Sequence, residues 1–145
     1  MGKHVRQQVR EEIADILIGL SSTADRVFTS RTYPIRDSDL PCLLIKTEQE
    51  RVDYQTVNQP AQQEREITLV VEVIAKANEN LDNTLDEICT QVEIVIDSIA
   101  TIAKNIQLAG TNIDTSVLGN QPIGQATMIY RMRVYTESNS PDVVL

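Results

Sequence analysis

Apolar residues recur along this chain in two rhythms. Val5, Val9, Ile13, Ile16, Leu17 and Leu20 are spaced by threes and fours, so a helix gathers them into one stripe. Arg6, Arg10, Glu11 and Asp15 fall elsewhere around it. Gly19 and the serines of "GLSSTADR" then supply the stop. "RVFTS" predicts a short strand. The stretch "RTYPIRDSDLPCLLI", Arg31 to Ile45, follows. Pro34 and Pro41 each hold the residue before them extended. "RDSD" suits a turn, because short polar side chains bond to nearby amides. "CLLIKT" predicts a buried strand.

The rhythm then weakens. Residues 48–66, "EQERVDYQTVNQPAQQERE", are rich in Gln and charge, with Val52, Tyr54, Val57 and Ala61 as apolar breaks. "RVDYQTV" alternates well enough for one strand of a long, projecting hairpin arm. A disordered loop is the competing reading. Strict alternation returns in "REITLVVEVIAKA". Ile67, Leu69, Val71, Val73 and Ala75 share one strand face, and Thr68, Val70, Glu72, Ile74 and Lys76 the other.

A second helix follows, with Leu81, Leu85, Ile88, Val92, Val95, Ile99 and Ile102 as its stripe, widened by Cys89 and Ile96. Asn78 or Asn80 can cap its start. Acids early (Asp82, Asp86, Glu87) and Lys104 late suit its dipole. Two strands close the pattern. "IQLAGTNIDTSV" comes first, with Gly110 as a bend or bulge. "NQPIG" makes the turn, and "QATMIYRMRVYTE" follows. In the last strand Ala126, Met128, Tyr130, Met132 and Val134 face one way, and Thr127, Ile129, Arg131, Arg133 and Tyr135 the other. The predicted fold is α+β: a mostly antiparallel sheet with two helices packed on one face, plus the extended hairpin arm. One domain over residues 1–137 is expected, with residues 138–145 as a flexible tail.

Composition narrows the chemistry. The net charge is −8, with 13 basic residues against 21 acids, and aromatic residues make up 3%. Gripping nucleic acid calls for a basic patch and stacking platforms, and here the basic residues are scattered and aromatic residues scarce. No apolar run approaches the roughly 20 residues that span a bilayer. Glu11, Glu12 and Asp15 interrupt the N-terminal apolar stretch, so it does not read as a signal peptide. Cys42 and Cys89 both sit in apolar patterns and read as buried free thiols.

A catalytic triad or a His-based zinc site would have to use His4, the one histidine, near a frayed terminus. The five glycines are too dispersed for a phosphate loop. Asp82 and Asp86 share a helix face, but first-turn acids on a solvated helix are the commoner case. "DSDLP" lacks the glycine and later glutamate of a calcium loop. A carboxylate pair of the glycosidase kind stays open, without aromatic platforms to support it. Arg131 and Arg133 share one strand face, either solvated or paired with acids across a subunit contact.

Several phrases carry a resemblance: "KHVRQQVREEIADILIGL", "RVFTSRTYPIRDSDLPCLLIKTEQE", "EREITLVVEVIAKANENLDNTLDEICTQVEIVI", "IQLAGTNIDTSV" and "QATMIYRMRVYTE". Over about residues 3–137 the chain resembles the tail-terminator and minor tail proteins of long-tailed bacteriophages, similar to the terminator of lambda-type tails. The resemblance implies a structural protein without catalysis, cofactor or metal. Its partners would be itself, as a ring of six, the tail tube protein, and a head-side connector or neck protein. DNA would enter only as passing cargo, and no membrane is involved. The setting would be the virion tail, and the host cytoplasm during assembly. A neck or tail-completion protein of the same particle is the alternative, and a monomeric protein-binding adaptor another.

The family transfers no motif residue, so the contact residues come from this chain. "RTYPIRDSDLP" is expected to be a docking loop: its prolines lower the ordering entropy of binding, Tyr33 offers contact area, and Arg31, Arg36, Asp37 and Asp39 offer charge registration. Arg51 and Tyr54 on the arm, and Arg131 and Arg133 on the last strand, complete the expected interface. A ring needs one face of a subunit to meet a different face of its neighbour, which a projecting arm would suit.

Overall fold

Helix α1 spans Val5–Leu17 and buries Val5, Val9, Ile13 and Leu17 of the predicted stripe, with Ala14 beside them. His4 caps it: Nδ1 accepts from the Arg6 amide at 3.1 Å. Gly19, at a φ of 99°, turns the chain away after the helix ends. The computed structural model describes residues 2–29, 36–76, 80–99, 102–118 and 121–145.

Five strands follow in one sheet of order β1-β2-β3-β5-β4. They are β1 (Val27–Thr29), β2 (Cys42–Tyr54), β3 (Gln62–Lys76), β4 (Lys104–Leu118) and β5 (Gln121–Glu137). Only the β1–β2 pair is parallel. Helix α2, Leu81–Ile99, runs between β3 and β4. The Asn80 carbonyl accepts from the Thr84 amide at 2.9 Å at its start.

Both helices lie on one face of the sheet. Leu43 and Ile45 of β2, Ile67 to Ala75 on alternate positions of β3, and Ala126 to Val134 on β5 form one core with the buried residues of α1 and α2. Every inward position predicted on β3 and β5 is buried there. The fold is thus α+β in two layers, with the second sheet face free of helices.

The region 48–66 departs from a free-standing arm. β2 pairs with β3 from Cys42↔Ile74 to Tyr54↔Gln63, and β5 flanks β3 as far as Gln62↔Glu137. The long hairpin therefore belongs to the sheet, and only the loop between Tyr54 and Gln62 extends past its ladders. A register shift between Thr47 and Gln49 makes Glu48 a bulge. It turns Glu50 to the helix side, although Leu43 and Ile45 hold that side before it.

The predicted turn "NQPIG" moves. β5 begins at Gln121, with Val117↔Pro122 and Thr115↔Gly124 already in register. Among the described residues β3 pairs with β5 as far as Ile123, and Pro122 is paired with β4 alone, which accommodates a residue with no N–H. A register shift between Leu108 and Gly110 bears out the predicted irregularity at Gly110. Residues 138–145 carry hydrogen bonds to the body: the Val5 amide donates to the Pro141 carbonyl and the Leu145 amide to that of Tyr135, both at 2.9 Å.

Candidate interface on the open sheet face

Alternation along β2, β3 and β5 sends every second residue away from the helices. Past the bulge, Arg51, Glu66 and Arg133 lie side by side in register, and next to them Gln49, Thr68, Arg131 and Gln107. Four strands thus build a polar band across the open face. It holds two shallow hollows of about 450 and 170 Å³ that share Glu66 and Arg131. Asn105 and Gln107 of β4 edge the larger one. The register shift between Lys104 and Gln107, with Asn105 at a φ of 53°, opens the sheet edge there.

Charges in the band are partly matched. Arg51 Nε lies 3.7 Å from Asp53 Oδ2, and Arg133 Nε 3.7 Å from Glu64 Oε1. Both arginines are about half or more exposed, so such pairs contribute little to stability. Tyr135 donates to Glu64 at 3.0 Å, and that bond raises its phenol pKa by favouring the protonated form. Arg131 forms no ion pair among the described residues. Further along the face, Lys46 meets Glu72 at 2.8 Å, which raises the lysine pKa by stabilising the ammonium. Between Lys46 and Ile129 in register, Val70 is fully buried even here.

Three expected site residues, Arg51, Arg131 and Arg133, therefore share one surface. Tyr54 does not join them: the bulge puts it on the other parity of β2, where it is 64% exposed at the start of the loop. Arg36 stands just before a short 3-10 turn, Asp37–Asp39. The Arg36 amide donates to Asp39 Oδ2 at 3.0 Å, so part of that carboxylate's capacity is spent within the turn. Arg31 and Tyr33 lie outside the described residues.

A second polar cluster, not anticipated from the sequence, lies on the helix side. Arg65 is buried, and donates to Thr136 Oγ1, Glu50 Oε1 and Gln63 Oε1 at 2.8–2.9 Å. Arg6 of α1 reaches the same Glu50 oxygen at 3.0 Å. His4 stands beside this group, with its pKa lowered by burial first and by the Arg6 charge next. Parity held the signal: Gln63 and Arg65 continue the odd-numbered inward series of Ile67, Leu69 and Val71. Their polarity hid it.

The described residues hold no group of three His, Cys, Asp or Glu placed to bind a metal ion. Cys42 and Cys89 are both buried, and burial, aided by Asp86 and Glu93, pushes the Cys89 thiol up to about 11. No helix of the described residues is long and apolar enough to cross a membrane. What this surface offers is hydrogen-bonding groups and charge, carried on sheet strands. A family model described as phage minor tail protein U matches residues 4–114. No curated protein matches the chain.

Proposed function

The chain belongs to the phage minor tail protein U family, and we propose that it terminates the tail tube. The family makes it a structural component of the phage tail. In the proposed role, six copies close into a ring on the tube end, stop its growth and offer the surface that the head-side connector joins. Assembly takes place in the host cytoplasm before the tail becomes part of the virion. No catalytic step belongs to this role.

The observation that carries the reading is the open sheet face. One layer of helices leaves the second face bare, and three arginines with Glu66 and three neutral polar side chains form a band across four strands. Arginine is favoured at subunit contacts, and a sheet fixes its side chains with little ordering cost. We assign Arg51, Arg131 and Arg133 to contacts with the tube or the adjoining subunit. The loop holding Arg31, Tyr33, Arg36, Asp37 and Asp39 is assigned to the second contact. The net charge of −8 suits a ring that DNA traverses without sticking.

Reversing charge in Arg131→Glu/Arg133→Glu tests the assignment. Arg133 stands in register with Glu66 and 3.7 Å from Glu64, so the new acids meet like charge and the monomer should lose about 1–2 kcal/mol while staying folded. Tails assembled with the variant should lose their uniform length. Uniform tails from a folded double variant would remove the open face from the contact.

A further inference from the structure

A groove runs between α2 and β4, away from the open face. Ile94, Ile106 and Leu108 line it, Glu93 and Asp97 stand beside them, and Tyr130 forms its inner end. Its volume is about 300 Å³. Ile94 is 61% exposed, on a helix whose Leu85, Ile88, Val92 and Ile96 are buried. Tyr130 is 3% exposed, and its hydroxyl has no hydrogen-bond partner among the described residues. A buried hydroxyl left unpaired is costly, and a groove that ends on one is incomplete. Its pKa is raised, chiefly by burial and then by Glu93, so the group stays a neutral phenol able to donate or accept.

The same molecule carries a segment that fits. Between Tyr54 and Gln62 the loop presents Val57, whose side chain is wholly in solvent, and Tyr54. Gln55, Asn58 and Gln59 beside them are exposed amides that can bond a phenol. Arg51, exposed on β2 just before the loop, matches the carboxylates of Glu93 and Asp97. β2 lies toward one side of the sheet, and β4 is the strand at the opposite edge. Loop and groove thus belong to different parts of the sheet, with β3 and β5 between β2 and β4, and a second copy can bring one against the other.

We infer that the loop from Tyr54 to Gln62 of one copy docks in the α2–β4 groove of the next. Val57 enters between Ile94 and Leu108, and a loop amide completes the Tyr130 hydroxyl. Such a contact is heterologous and repeats from copy to copy, as a closed ring requires. The inference rests on the ring reading and specifies the joint between its subunits.

A photo-crosslinking amino acid at position 57 of the full chain tests it, with linked peptides mapped in oligomers formed alone or on tail tubes. Links to residues 93–97 or 106–108 are expected. Tyr130→Phe should keep or raise the monomer's Tm while weakening self-association by about three- to tenfold, a split that a purely structural role would not give. Val57→Asp and Ile94→Asp should each abolish assembly in a folded monomer. Rings that persist in both aspartate variants, or links that map elsewhere, overturn this joint and leave the ring standing. A wild-type protein that never associates, even on tube ends, overturns the ring and the joint together.

Discussion

Arg65 is a cation held inside the sheet layer by three acceptors, one of them the Glu50 carboxylate. Desolvating such a pair costs about as much as its attraction returns, but removing one partner strands the other. Arg65→Ala should therefore lower unfolding free energy by about 3–5 kcal/mol, read from urea midpoints, whereas Glu50→Gln should cost less. Cys89 makes a second residue-scale prediction. An unfolded thiol ionises near 9.0, and the folded one at about 11. Between those values the unfolded state binds fewer protons, so stability falls as pH rises, by about 2 kcal/mol over the window. Below the lower value that contribution is fully present. Chemical melts from pH 8 to 11 should show the fall in the wild type and a shallower one in Cys89→Ala. Residues of this kind were half legible. The thiol's burial followed from the apolar stripe around it, but Arg65 was hidden because a charged side chain in a polar run gives no sign that its strand face is covered.

At the scale of elements, the helices and the apolar strands declared themselves through period, and the polar strands did not. β2 shows why. Its bulge at Glu48 shifts parity by one, so "CLLIKT" and "QERVDY" cannot be read as one alternating strand, although they are one. β5 shows the opposite error, since Pro122 and Gly124 look like turn residues and stand in the ladder. Gly124 has a packing reason. A Cβ there would come within 2.7–2.8 Å of the Leu81 side chain at the start of α2. Gly124→Ala should destabilise the protein by about 1–3 kcal/mol, and Leu81→Ala in the same chain should recover part of that loss. A double-mutant cycle by thermal melting gives the coupling. Additive losses would mean that the helix start does not press on this strand.

Across the whole molecule, two helices on one face of a mostly antiparallel sheet followed from the order of the elements. Which surface stays open did not, because that depends on long-range pairing: Arg51 and Arg131 meet only through β3, which lies between their strands. The same pairing drew the expected arm into the sheet and left a short loop in its place. The protein is a tail component with one bare polar face and an apolar groove at the opposite sheet layer. Its proposed role rests on assembly into a ring at the tube end. The most direct measurement is negative-stain imaging of tail tubes made without the protein and then supplied with it, alongside native mass over a wide concentration range. Six-fold rings seated at one end of each tube, and no further growth of the tubes, are the predicted result. Bare tube ends that keep elongating beside a protein that stays monomeric would contradict the account.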